Sequence, residues 1–299
     1  MGPITDSHKL NFQKNLELAL RQLNPILEPA FTYHTGFSGE AMQMLELIGQ
    51  TAAVKNIGRF ADTPNIQNTV EPIWLSPTQL AWGQLMELED TIKSVVDHQS
   101  IFIQAGATGM MIGAEELLRD ALFGPRTIGK RGSTTAAWNG PTVPVGIGSS
   151  DDVTAIGMKV AKIIRGRRLF QENHVQTRME TIYLATDAQA MEELFRDLTY
   201  ISADYRNRKV LDEPERVDIL GVTILPPLEG TTAIPDFDAT TSVSALFCKS
   251  GMHFADFSAL RTDIPLRADK MNRPHPQMER WLGASRSEDA KVIKILNKK

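Results

Sequence analysis

The residues best placed by type and spacing to do chemistry run from Gly124 to Lys130, where Gly-Pro-Arg-Thr-Ile-Gly-Lys matches the first seven positions of a phosphate-binding loop. Such a loop aims backbone amides at phosphates, sets its lysine on the outer phosphates and uses a Ser or Thr hydroxyl on the magnesium ion. Arg131 stands where that hydroxyl is needed, and the apolar pattern before the loop is helical where the motif requires a strand. Nucleotide binding is therefore not expected here. Gly146 and Gly148 lack the third glycine of a dinucleotide loop. His253 and Asp256 are close in sequence, but no third metal ligand is in view. The histidines at 8, 34, 98, 174, 253 and 275 include no pair at helical metal-site spacing. Cys248 sits in an apolar run, where a thiol packs rather than attacks. Gly36, Ser38 and Gly39 fall one residue short of a nucleophile elbow, and Asp236 and Asp238 read as solvated turn residues. The expectation is no catalytic residue, no cofactor-binding residue, no metal ligand and no cofactor: this is not an enzyme.

The elements that would carry these residues have a distinctive order. Leu10, Phe12, Leu16, Leu20, Leu23 and Ile26 predict a short amphipathic arm that Pro25 and Pro29 stop. Met42, Met44, Leu45, Leu47 and Ile48 read as helical after a Gly-rich start at Thr35. Val54–Phe60 and Val70–Leu75 read as strands of a long two-stranded excursion, with Pro72 and Pro77 marking edge strands. An isolated hairpin of that length is marginal in water and needs another surface. From Gln99 to Phe123, Ile103, Ala107, Met110, Met111, Ala114, Leu117, Leu118, Ala121 and Leu122 predict a helix of roughly 37 Å at ~1.5 Å per residue. Gly106, Gly109 and Gly113 within it imply close approach of another backbone. Residues 124–150 are a Gly/Thr/Pro-rich loop or strand layer.

Ser149 or Ser150 with Asp151 and Asp152 predicts a helix start, and Arg165, Arg167 and Arg168 a basic last turn. Thr181–Thr186 reads as a buried strand followed by a helix that Asp187 caps, and Arg216–Pro226 as strands turning at Gly221. Residues 151–239 thus look like an α/β unit. The rest is mostly strand, closing with Lys291–Leu296.

Composition narrows the classes further. The chain has 299 residues, 32 basic against 36 acidic, and a formal charge of −4. That balance excludes a protein that grips nucleic acid by neutralising phosphates. A single cysteine excludes an internal disulfide. No stretch reaches the ~20 continuous apolar residues of a membrane span, and the first 20 residues lack a signal-peptide core, so a soluble cytoplasmic chain is expected. With no coherent site, the well-formed features are an arm, a long hairpin and a long helix, all devices for touching neighbours.

This order, together with Arg59–Pro64 containing Asp-Thr-Pro, Leu75–Gly83 with its Trp82, Leu88–Asp90 before the long helix, and the ending from Trp281 to Ile295, resembles the major capsid proteins of tailed double-stranded-DNA phages. The resemblance implies an α+β fold of the Hong Kong 97 type. Its expected parts are an N-terminal arm (1–50), an E-loop hairpin (51–83), a P-domain with the spine helix (84–150), an inserted α/β A-domain (151–239), and the P-domain return with a closing strand (240–299). It implies self-assembly of hexamers and pentamers into an icosahedral shell around packaged double-stranded DNA, built in the host cytoplasm and residing in the virion capsid.

The partners implied are further copies, a portal protein, a decoration or cement protein in some shells, weak contact with the DNA, and no membrane. The short stretch before the E-loop implies a separate scaffolding protein. Lysine-to-asparagine cross-linking known in some relatives is not carried over, because nothing around Lys55 matches it. The alternatives are an encapsulin-like nanocompartment shell and a cytoplasmic α/β enzyme.

Overall fold

The computed structural model describes residues 25–35, 39, 41–48, 53, 55, 62, 70–86, 98–197 and 218–299. The amphipathic arm before Pro25 and, apart from Lys55, the strand expected over Val54–Phe60 lie outside them. In chain order the strands are β1 Thr32–His34, β2 Met42–Ile48, β3 Val70–Leu75, β4 Thr78–Gly83, β5 Arg126–Ile128, β6 Thr134–Ala136, β7 Thr142–Val143, β8 Ile182–Ala185, β9 Asp218–Ile219, β10 Val222–Ile224, β11 Thr241–Cys248, β12 Met252–Asp263, β13 Leu266–Arg267, β14 Arg273–Pro274, β15 Gln277–Arg286 and β16 Val292–Lys298. The helices are α1 His98–Phe123, α2 Val160–Glu172 and α3 Ala188–Arg196.

Three larger sheets organise the molecule. The first runs β1-β12-β15-β4 and carries α1 on one face. Met110, Ala114, Leu118 and Leu122, spaced by four, are the buried stripe of that helix, each large side chain contributing roughly 1.5–3 kcal/mol by leaving water. The second sheet, β7-β16-β11-β8-β10-β9, has β11 at its centre with all eight residues buried. It draws strands from residues 142–143, 182–185, 218–224, 241–248 and 292–298, three of the five expected segments. The third, β2-β3-β5-β6, joins the two-stranded excursion to the segment after α1.

The glycines of α1 face side chains of β4, not the backbone expected there. A Cβ on Gly106 would lie 2.5 Å from the Trp82 ring of β4, and one on Gly113 would touch Leu80 at 3.5 Å. Glycine is needed there because an indole occupies the space of its missing side chain.

Three more expectations change. Residues 42–48 form strand β2 instead of a helix, because Val70–Leu75 lies antiparallel beside them and takes up their backbone groups; a seven-residue apolar run is not separated from a helix by periodicity. Strand β3, holding Pro72, is flanked by β2 and β5 and so is not an edge. Pairing to β5 begins at Ile73, so no ladder bond is asked of the proline nitrogen, while the Pro72 carbonyl accepts the Gly129 N–H at 3.2 Å.

The helix expected from Ser149 begins only at Val160. Asp151 turns back to accept the Val153 and Thr154 N–H groups and the Ser149 hydroxyl, and Asp152 accepts from Gly148, so these carboxylates close a turn. Arg165, Arg167 and Arg168 therefore lie in mid-helix.

Elsewhere the local signals act as expected. Asp187 accepts the Ala190 N–H at 2.9 Å and caps α3, and Leu220 with Gly221, both at positive φ, turn β9 into β10.

Candidate functional site

Among the described residues, those with chemical potential do not come together as a reactive site. Gly124 ends α1, its N–H bonded to the Asp120 carbonyl, and the phosphate-loop-like stretch continues as β5 and a tight turn into β6, with Lys130 exposed. His253 and Asp256 point to different partners. The Asp256 carboxylate accepts from Arg280 at 2.8 and 3.1 Å and from the Tyr33 hydroxyl at 3.2 Å. Cys248 is fully buried, and burial pushes its thiol up to about 12. Asp236 pairs with Lys299, and Asp238 closes a turn on Thr240. Lys55 is exposed, and Ser38 lies outside the described residues. Among the described residues no group of three metal-binding side chains occurs, and no helix is long and apolar enough to cross a membrane.

What the fold does build is a set of surfaces, beginning at the root of the arm. Residues 25–34 run along the first sheet and are tied down by polar groups of Glu115, Arg280 and Lys249. Glu115 of α1, 1% exposed, accepts the Leu27 N–H on both oxygens at 3.1 and 3.0 Å. Arg280 of β15 bonds Glu28 at 2.8 Å, Lys249 donates to the Pro29 carbonyl, and the Thr32 hydroxyl donates to the Lys249 carbonyl. Leu27, Ala30 and Phe31 fill the core beneath, with Phe31 edge-on to Phe247.

Strand β1 then pairs parallel to β12 and brings the His34 Nε2 to 2.9 Å from the His253 Nδ1. His253 Nε2 faces the Ser250 carbonyl at 3.0 Å, so that nitrogen carries the proton and Nδ1 accepts from His34. Burial, with a smaller contribution from His34, lowers the His253 pKa to about 4.

A second surface lies on strands β2 and β3, where Leu45 and Val70 are exposed. A third surface is the far half of β12. Its first four residues are buried, whereas Ser258–Asp263 are open to water while still paired to β15. The register shifts between Asp256 and Arg261 bend the pair away from the body. Along it and the turn that follows, Leu260, Ile264, Leu266 at 66% and Met271 at 86% exposure are apolar side chains that the described residues leave open to water. A fourth group, Val153, Met179, Leu220 and Phe237, is exposed on loops around the second sheet.

Reasoning from the sequence missed the arm-root contacts because Glu115 and Leu27 are 88 residues apart. The only available signal was a Glu on the otherwise apolar face of a helix.

Comparison with known proteins agrees with this architecture. A family model described as phage capsid protein matches residues 4–299. No curated protein sequence matches. Among solved structures, the chain is similar to the cyanophage Pam1 capsid, with a TM-score of 0.71 at 11% identity over 96% of this chain and 94% of that one. It is similar to the capsid of Cyanophage P-SCSP1u, TM-score 0.67 at 14% identity over 96% and 92%. It is also similar to the acidic stable capsid of Helicobacter pylori bacteriophage KHP30, TM-score 0.68 at 9% identity over 97% and 96%. At these identities the likeness is one of fold, and the fold is that of the Hong Kong 97 type.

Proposed function

The chain belongs to the phage capsid protein family, and from that premise we propose that it assembles as hexamers and pentamers into an icosahedral shell enclosing packaged double-stranded DNA. It is a structural protein of the virion capsid shell, and its mechanism is assembly. The observation that carries the proposal is the set of exposed apolar side chains Leu260, Ile264, Leu266 and Met271, which the described residues leave open to water. Leaving such side chains in water forgoes roughly 1.5–3 kcal/mol each, which a neighbouring copy recovers. Residues 51–83 are proposed as an E-loop lying across an adjacent subunit, a reading supported by the family to which the chain belongs. Residues 1–50 would act as an arm on another copy, 84–150 and 240–299 as the P-domain, and 151–239 as the A-domain at capsomer centres.

The charge of −4 supports a container filled by a motor rather than a coat that condenses its genome. Scaffolding and portal proteins, a decoration protein in the finished shell, and assembly in the host cytoplasm complete the proposal.

Negative-stain microscopy of the expressed chain with its scaffold tests it. Shells or capsomers are expected, and a persistent compact monomer would overturn the reading. Shells loaded with cellular cargo, in cells without a packaging motor, would instead assign a nanocompartment. Deleting residues 56–68, which stops short of β3, is expected to leave a soluble subunit that forms no shells; normal shells from that deletion would remove the E-loop assignment.

A further inference from the structure

At the end of α1 three parts of the molecule meet: the helix terminus, the third sheet through β3 and β5, and the turn from β15 into β16. Two arginines cross there. Arg126 donates Nη1–H to the Ser287 carbonyl at 2.5 Å and Nη2–H to Glu71 at 3.1 Å. Arg286 donates Nε–H to Asp289 at 2.5 Å and Nη1–H to the Gly124 carbonyl. Each guanidinium thus bonds the backbone beside the other's position in the chain, which sets two cations side by side. The Arg286 side chain is 1% exposed.

Each arginine has one N–H left over. Arg126 Nε and Arg286 Nη2 are closed to solvent and meet no acceptor among the described residues. The same holds for Trp138 Nε1, which belongs to the same joint. Its ring lies edge-on to Phe123 at 5.3 Å, and a Cβ on Gly140 would be 2.6 Å from the Asp289 carbonyl and 2.7 Å from the indole nitrogen. A third cation, the Lys294 ammonium, lies 4.4 Å from the centre of the Trp138 ring and 4.8 Å from that of Phe123.

The joint therefore holds Arg126, Arg286 and Lys294 against Glu71 and Asp289, since Lys291 and Glu288 neutralise one another at 3.2 Å. One positive charge is in excess and three N–H donors lack acceptors. A buried donor without an acceptor costs about 1–3 kcal/mol, and an acceptor that also carries one negative charge answers both imbalances. Burial pushes the Arg286 and Lys294 pKa values down, with the Arg126 charge adding to it at Arg286.

We propose that this joint binds one small monovalent anion of the halide class, bridged between Arg126 Nε and Arg286 Nη2 with Trp138 Nε1 beside it. The donors are sealed inside one subunit, which excludes a carboxylate from a neighbour and any bulky oxyanion. The bound ion would fix the angle at which the third sheet leaves the body, because Arg126 and Glu71 belong to that sheet and Arg286 and Gly124 to the body. The site lies within the subunit and stands apart from the proposal on shell assembly.

The full chain tests it as a purified subunit. Its Tm in chloride or bromide should exceed that in gluconate at equal ionic strength, rising on the order of 2–4 °C per tenfold halide above the Kd. In bromide-grown crystals the anomalous map should show a peak between Arg126 and Arg286. Trp138→Phe, which keeps the ring against Phe123 and Lys294, and Arg126→Gln should each reduce the halide increment by at least half. Equal Tm values in halide and gluconate, or a water at the position where bromide is expected, would overturn the assignment. So would an unchanged halide increment in both variants.

Discussion

Glu115 on α1 takes the Leu27 N–H on both carboxylate oxygens, at 3.1 and 3.0 Å, and so fastens the root of the N-terminal segment to the long helix. Among the described residues no cation pairs with it. Burial outweighs the backbone hydrogen bonds and lifts its pKa to about 7. The groups around it are Glu28 on the arm root, Arg280 on β15 committed to Glu28 and Asp256, and Arg119 on its own helix, committed to Asp120 and to the Thr231 carbonyl.

Glu115→Ala should destabilise the subunit by about 1–3 kcal/mol, because the Leu27 N–H is left buried and unmet. Glu115→Gln keeps an acceptor and cannot ionise. The folded chain holds the Glu115 proton more tightly than the unfolded chain, so this contribution is present below pH 4.5 and lost as pH rises through 7. The glutamine variant should therefore gain on the wild type between pH 5 and 8 in urea titrations; parallel pH profiles would contradict this.

The His34–His253 contact has the opposite sign. His253 binds its proton more weakly folded than unfolded, so protons taken up between pH 6.5 and about 4 favour unfolding. The loss over that window is bounded at about 3 kcal/mol. Protonated at Nδ1, His253 would set two N–H groups against each other across 2.9 Å. His253→Phe should flatten the acid limb of the stability profile, which differential scanning calorimetry across that range measures.

Packing of Trp82 on Gly106 allows no methyl. Gly106→Ala should cost about 1–3 kcal/mol despite its better helix propensity, because the new carbon would sit 2.5 Å from the ring. In a Trp82→Leu background the same change should be neutral or stabilising. A double-mutant cycle by chemical denaturation reads this coupling, and additive effects would refute it.

Lys162, fully buried in α2, donates to the Ile156 and Leu296 carbonyls at 2.9 and 2.7 Å and to the Asn297 side-chain oxygen at 3.2 Å. Asn297 continues to the Ser244 hydroxyl and on to Thr186. The chain of bonds pins the last strand to the middle of the second sheet. Lys162→Met should cost about 1–3 kcal/mol and raise hydrogen exchange first at β16; uniform exchange across the sheet would show that the lysine only fills space.

Much of the architecture was legible in the order of residues. The four-residue spacing of Met110, Ala114, Leu118 and Leu122 is local and produces α1 whatever surrounds it. Asp187 caps its helix and Gly221 turns its hairpin for equally local reasons. The absence of reactive spacing among the histidines, and the mild acidity, already directed attention to surfaces instead of a pocket.

Only the tertiary structure decided the rest. Met42–Ile48 became a strand because Val70–Leu75 lies beside it, a partner more than 20 positions away. Asp151 closed a turn because nearby amides reached it before a helix formed. Glu115 with Leu27, His34 with His253, and Arg126 with Arg286 are each separated by 88 or more residues, and no periodicity encodes such pairs. Local structure follows from short-range sterics and hydrogen bonding, which neighbouring residues carry with them. The burial that shifts a carboxylate or aligns two arginines exists only after distant segments have closed over them.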